Sequence, residues 1–399
     1  MLSVRSSQDI SMEREKTPPY KSRSKYLVFV IIMVAFTILI IEVFSWATGQ
    51  ILIKKWSMYA PPSSPEERTW NYTEYLSNRD PVLGWPYPRE IGNGVYDEVG
   101  ARPSPDFPAA QHKSCISVYG DSYTQSDLED DSKTWAESLA RLLGCRVANF
   151  GVGGYGTDQA YLRFKGNEDP HSKLVILAYF SEDMERSLTR LRDLLTYTSW
   201  YSFKPRFIIN EKGMLEHLPI PSLTESEYRR LVGFEDPPFR LEHEYFNPGG
   251  DAGAVMLKFP FSFALLRNIG YYKFRAMFQQ TSEFYEPNHP FRGIEIVSGI
   301  MDHFVSEANK RGKHGLIVLF PSQEDIKSFQ KTGQWVHAPL RKALDRKNVP
   351  YVDFAPYFAK IIDGNNPDDY YRNYHFTAAS ETLFAEYLYN HLLMKGYAK

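Results

Sequence analysis

The run Leu174-Val175-Ile176-Leu177-Ala178-Tyr179-Phe180 sets the tightest limit on how this chain folds. Apolar residues follow one another with no polar alternation, so a strand here has both faces buried. That is the setting of a parallel sheet covered by helices. The neighbouring segments fit it. Cys115–Tyr119, Arg146–Phe150, Leu316–Phe320 and Tyr351–Asp353 read as further strands. Thr134–Leu143, a segment from about Asp158, Ile294–Lys310, Val336–Lys347 and Thr377–Leu393 read as the helices between and after them. The expected class is α/β.

A second run, Tyr26–Ala47, is almost uninterruptedly apolar, with Glu42 its only charge. It is long enough to cross a hydrocarbon core of roughly 30 Å as a helix, and no small-residue cleavage site follows it. Basic residues outweigh acidic ones before it, which predicts a cytoplasmic N-terminus and an exported remainder. The expected sections are a cytoplasmic tail (1–25), a transmembrane helix (26–47), an exported spacer and N-terminal extension (48–110), and the α/β domain (111–396). Glu42 is expected to snorkel toward the interface. The location implied is a bacterial inner membrane, with the domain facing the periplasm or the cell exterior.

Residues 187–293 interrupt the alternation, as a cap or substrate-shaping insertion does. Trp200, Tyr201, Phe203, Pro205, Pro237 and Pro238 lie in it. Its aromatic stretch Phe259–Phe278 is expected to be partly helical and to serve as core rather than lie on a membrane surface. Asn71-Tyr72-Thr73 is a glycosylation sequon, relevant only in a eukaryotic secretory pathway.

Composition narrows the function. At 43% apolar and 24% charged, the 399 residues support a packed core. A net charge of −2 offers no basic surface for nucleic acid. Cys115 and Cys145 are the two cysteines, and no Cys/His cluster has zinc spacing. Buried free thiols are the default for this pair, with a disulfide if the domain occupies an oxidising compartment. No metal or organic cofactor is indicated.

Three short segments carry the chemistry. Gly120-Asp121-Ser122 follows the first strand and puts a hydroxyl on a tight turn at the sheet's C-terminal edge, where open α/β sheets bind ligands. Serine there is a nucleophile if a base reaches it. Asp121 is expected to brace the turn through backbone hydrogen bonds. Gly151-Val152-Gly153-Gly154-Tyr155-Gly156 follows the second strand and exposes N–H groups, with spacing of neither a P-loop nor a dinucleotide fingerprint. His375 arrives late, just before the final helix.

In this order the segments resemble the SGNH (GDSL-type) hydrolases, in particular membrane-anchored, exported members. Asp80–Gly84 and Asp97–Arg102 belong to the resemblance, which covers about residues 80–395. It implies a three-layer α/β/α sandwich with a flavodoxin-like sheet of about five parallel strands, and a serine-linked acyl-enzyme. Ser122 is then the nucleophile and His375 the general base. The Ser122 N–H and that of Gly153 or Gly154 belong to the oxyanion hole. Two positions depart from the family pattern. Glu182 stands where the family places an oxyanion-hole asparagine, and an ionised carboxylate there repels an oxyanion. Arg372 and Asn373 occupy the usual places of the histidine-orienting aspartate, leaving Asn373, Asp368 or Asp369 for that role. The implied substrates are O-acyl esters, such as acetyl esters on an envelope or secreted polysaccharide. The alternatives are O-acyl transfer to a glycan and a degenerate fold that only binds.

Overall fold

The computed structural model describes residues 21–56, 71–85, 94–167, 171–195, 203–233, 240–247, 250, 252–253, 257–271, 283–363 and 365–397. The tail 1–20, spacer residues 57–70, and Trp200, Tyr201, Pro237, Pro238 and residues 272–278 lie outside the described residues.

Five parallel strands form the central sheet: β1 (Ser114–Tyr119), β2 (Arg146–Asn149), β3 (Leu174–Phe180), β6 (His314–Phe320) and β7 (Tyr351–Asp353). The intervening β4 (Arg206–Ile209) and β5 (Leu215–Leu218) form a separate antiparallel hairpin. The order across the sheet is β2-β1-β3-β6-β7, the flavodoxin-like arrangement, whose switch point lies between β1 and β3. β3 is central and buried throughout, as its unbroken apolar run requires. Val175, Leu177 and Tyr179 enter one apolar layer, with residues of the Thr157–Gly166, Gly293–Lys310 and Ala338–Lys347 helices. Leu174, Ile176, Ala178 and Phe180 enter the other, with the Trp135–Leu143, Ala355–Ile362 and Ala378–Met394 helices. Each fully buried Leu or Ile contributes about 1.5–3 kcal/mol.

Local signals place the helix ends. Thr134 accepts from the Glu137 N–H at 3.1 Å and caps the Trp135–Leu143 helix, which Gly144 ends at positive φ. The Gln323–Thr332 helix, absent from the periodicity reading because it is mostly polar, starts at a Ser322/Asp325 capping box.

Cys115 and Cys145 are joined in a disulfide, not free. The bond ties β1 to the residue before β2. With its ends 30 positions apart in the sequence, the loop-entropy relation gives it about 3–4 kcal/mol.

The insertion is fastened to the core by buried charge. Lys204 donates to Asp158 of the Thr157–Gly166 helix, and both side chains are fully buried. Lys204 Nζ also donates to the carbonyls of Pro205 at 2.9 Å and Thr189 at 3.2 Å. A satellite apolar cluster of Tyr75, Leu191, Phe203, Tyr228, Leu231 and Leu241 packs the Tyr72–Asn78 helix against the Glu225–Gly233 helix. The N-terminal extension therefore lies along the domain and has helical structure of its own.

The N-terminal apolar helix runs Lys21–Trp56, past both ends of the sequence reading. Its Ser24–Leu52 span is long and apolar enough to cross a membrane. Two expectations change here. Glu42 does not snorkel: it is buried, and it accepts from the backbone N–H groups of Phe261 and Ser262. The Phe261–Arg267 helix is not core, since Phe263 and Leu266 are exposed.

Candidate active site

The turn after β1 is built to hold one hydroxyl. A Cβ on Gly120 would fall 2.0 Å from Thr124 Oγ1 and 3.0 Å from the Ala178 carbonyl oxygen, so only glycine fits. Asp121 caps the four-residue helix Ser122–Gln125, its Oδ1 accepting from the Tyr123 N–H at 3.0 Å. The glycine block presses on this turn: a Cβ on Gly151 would lie 2.4 Å from the Gln125 nitrogen. Asn149 bridges the two, accepting from the Gly151 N–H at 2.9 Å and donating to the Thr124 carbonyl at 2.6 Å.

His375 comes from the opposite side on a miniature hairpin, β8 (Tyr371–Arg372) and β9 (His375–Phe376). Asn373 and Tyr374 form its two-residue loop, both at positive φ (46° and 69°), the type I′ pattern that asparagine tolerates well. Tyr123 Oη donates to the Tyr374 carbonyl, and Arg372 donates to the Leu128 carbonyl and to Glu129 Oε1, the latter at 2.8 Å. The hairpin is thus tied to the serine turn on both sides.

The result is a close pair. His375 Nε2 lies 2.8 Å from Ser122 Oγ. His375 Nδ1 lies 3.0 Å from the Asn373 backbone oxygen. A carbonyl only accepts, so Nδ1 carries the proton and the Nε2 lone pair faces the serine hydroxyl. The ring leans on Tyr123 (centroids 5.0 Å apart), which stacks on Phe180 at 4.1 Å. Ser122 is buried, with 6% of its surface exposed.

The structure separates the remaining sequence candidates. Asn373 meets the histidine through its backbone carbonyl, not its side-chain amide. Asp368 instead pairs with Lys327 at 3.0 Å and accepts from Gln323 at 2.7 Å. Asp369 is exposed, and the two imidazole nitrogens meet Ser122 and the Asn373 carbonyl instead. The Gly153 N–H donates to Gln125 Oε1 at 2.7 Å. Among the described residues, the N–H groups of Ser122 and Gly154 have no protein acceptor. Glu182 turns outward, 60% exposed, with Oε2 3.2 Å from Arg186 Nη2. The segment containing Trp85 lies over the glycine block, where its indole N–H donates to the Gly153 carbonyl at 2.9 Å.

Three charged residues that sequence reasoning did not single out stand at the site. Asp127 Oδ1 lies 3.7 Å from His375 Nε2. Arg186 lies 2.8 Å from Asp121 Oδ2 and 3.2 Å from Asp183 Oδ1. Arg192 donates through Nε to the Gly154 carbonyl at 3.0 Å. Burial raises Asp121 above the ordinary carboxylate range, opposed by Arg186 and His375. Burial and the nearby Asp121 push Asp183 well above it. Burial opposes the charge on Arg186, but Asp183, Asp121 and Glu182 outweigh it and raise its pKa. Burial, then Arg186, lowers Arg192 to about 10. Asp121 therefore braces the turn through its backbone bond, as expected, and also through a buried ion pair. The only advance sign of Arg186 is its i, i+4 spacing from Glu182. No metal-binding cluster of acidic, histidine or cysteine residues occurs among the described residues.

No family model matches the chain, and no curated protein matches it. Structural neighbours are G-D-S-L lipolytic proteins and acetyl xylan esterases. One, from Desulfitobacterium hafniense, is described as a lipolytic protein of the G-D-S-L family; it is 10% identical, with a TM-score of 0.34, covering 69% of this chain and 97% of that one. An acetylxylan esterase from Geobacillus stearothermophilus is 12% identical, with a TM-score of 0.34, covering 69% and 92%. A psychrotrophic esterase from a Pseudoalteromonas species is 10% identical, with a TM-score of 0.32, covering 69% and 94%. At such identities the reading of the site rests on its own geometry.

Proposed function

We propose that the chain is a membrane-anchored serine ester hydrolase that cleaves O-acyl esters through an acyl-enzyme. One observation carries this reading: the Ser122 Oγ–His375 Nε2 contact of 2.8 Å, with Nδ1 held by a backbone carbonyl. In the first half-reaction His375 takes the serine proton as Oγ attacks the ester carbonyl. The tetrahedral oxyanion is met by the N–H groups of Ser122 and Gly154, both without a protein acceptor among the described residues. The imidazolium then protonates the leaving alcohol. Asp127, at 3.7 Å from Nε2, favours the charged ring at this stage. Water completes the cycle by the same proton path in reverse. Asn373 holds the ring through its backbone, and Asp369 takes no part. Glu182 stays with Arg186, away from the oxyanion, so its charge is partly neutralised.

The apolar helix is the anchor, and the disulfide fits an oxidising, exported compartment. The substrate class in view is an O-acetyl or related acyl ester on a glycan.

The full chain in detergent should hydrolyse p-nitrophenyl acetate, and Ser122→Ala and His375→Ala should each abolish it. Undiminished hydrolysis by folded Ser122→Ala protein would refute the assignment.

A further inference from the structure

Glu42 is a carboxylate buried in the middle of a lipid-length helix, and its partners belong to the insertion. Phe261 and Ser262 donate to it through their backbone N–H groups, and Ser262 also through its hydroxyl. These groups start the Phe261–Arg267 helix, so one side chain fastens that helix to the anchor. The contact continues along one stripe of the anchor: Glu42, Ser45, Gly49 and Leu52 are buried, whereas Val43, Phe44 and Trp46 are exposed. Leu257 packs directly over Gly49, and Leu52 joins the domain's core.

Among the described residues, nothing covers the other face of the Phe261–Arg267 segment. Phe259 is 73% exposed, Phe263 58%, Leu266 64% and Ile269 53%, at helical spacing. Ala264 is buried on the opposite side. A contiguous apolar face of this kind marks an interaction surface. Its continuity with the exposed apolar surface of the anchor identifies the occupant. A 29-residue span is about 44 Å long against a hydrocarbon core of roughly 30 Å. Glu42 lies about 15 Å from its Leu52 end, within the hydrocarbon when the span is centred on the bilayer. A carboxylate at that depth is costly unless hydrogen-bonded, and the start of the insertion helix supplies the donors.

We propose that residues 259–269 are embedded in the leaflet on the domain's side, with Phe259, Phe263, Leu266 and Ile269 against lipid. This rests on the reading of the Lys21–Trp56 helix as a membrane anchor. The domain then hangs from two membrane elements, not from a flexible stalk, and stands at a fixed height over the bilayer.

The test uses the full chain in phosphatidylcholine/phosphatidylglycerol vesicles. Because the two native cysteines are joined, Leu266→Cys introduces a single reactive thiol for an environment-sensitive fluorophore. Phe36→Cys, on the anchor, and Met214→Cys, on the β4–β5 turn, are labelled as references. The expected result is quenching of the 266 label by spin-labelled lipid comparable with that at 36, and no quenching by aqueous iodide. The 214 label should behave oppositely, and Glu42→Ala should make the 266 label accessible to iodide. Iodide quenching at 266 with lipid quenching at 36 overturns the embedding and leaves the anchor intact. Protection at 266 from both quenchers overturns it in favour of a second protein copy or another partner. Iodide quenching at 36 as well overturns both the embedding and the anchor.

Discussion

His375 meets Ser122 across the chain at 2.8 Å, and its far nitrogen is held by the main chain of Asn373 instead of an acidic side chain. The orienting group is therefore encoded in hairpin geometry. Asn373→Gly keeps the carbonyl and readily takes positive φ, so kcat should remain within about threefold of wild type. Asn373→Ala meets a cost of about 1–2 kcal/mol at this φ and should lose more. Asp369→Asn should change nothing. Loss of roughly 10⁴ in kcat, the scale seen when an orienting carboxylate is removed, from Asn373→Gly or Asp369→Asn would move the role back to a side chain. Steady-state hydrolysis of p-nitrophenyl acetate checks all three.

Asp127 is the carboxylate that faces the imidazole, and it does so beside the serine rather than behind the ring. A charge 3.7 Å away on a partly exposed side chain is worth about 1 kcal/mol. Asp127→Asn should lower kcat about fivefold at low ionic strength, and the gap should narrow in high salt as screening removes the attraction. A salt-independent loss would assign Asp127 a packing role.

Glu381 lies beneath the serine turn, accepting from the Trp135 N–H at 2.8 Å and Ser126 Oγ at 2.9 Å. Burial is the main cause that raises its pKa from 4.5 to about 8, against the opposing pull of those two bonds. A raised folded-state value means that the folded chain holds a proton the unfolded chain releases. Its contribution is therefore full below pH 4.5 and is lost as pH rises toward 8. Between pH 6 and 9 the chain should lose on the order of 2–3 kcal/mol of stability from this group. Glu381→Gln should flatten that dependence, as denaturant titrations at several pH values will show.

Lys204 and Asp158 hold the insertion onto the helix after the glycine block. Lys204→Ala leaves Asp158 as an unpaired buried charge and should cost about 3–5 kcal/mol. The double variant Lys204→Met, Asp158→Leu should recover most of it. A recovery absent from thermal denaturation would mean that Lys204's bonds to the Thr189 and Pro205 carbonyls matter more than the ion pair.

Much of the sheet was readable because it is buried on both faces. β3 announces itself by composition, and the turns after β1 and β2 by their glycines. What sequence missed is mostly pairing over distance. Asn373 reads as a substitute for a missing acid because it stands two residues before the histidine, where the resemblance places an aspartate, while its conformation serves a turn that only the backbone reveals. Arg186 and Lys204 find Asp121 and Asp158 65 and 46 residues away, and the local spacing of Arg186 from Glu182 signals only the exposed pair, not the buried one. Cys115 and Cys145 stand near the starts of two adjacent strands, but their redox state follows from compartment and geometry, not spacing. Glu42 was read within its own helix, whereas its partners lie 219 and 220 residues further on.

The central claim is that Ser122 is activated by His375, and covalent labelling tests it most directly. A fluorophosphonate probe should label the wild-type full chain stoichiometrically, with labelling absent in Ser122→Ala and strongly reduced in His375→Ala. Asn373→Gly should label at close to the wild-type rate. An unlabelled wild-type protein of demonstrated native fold, or labelling that persists in Ser122→Ala, would contradict the account.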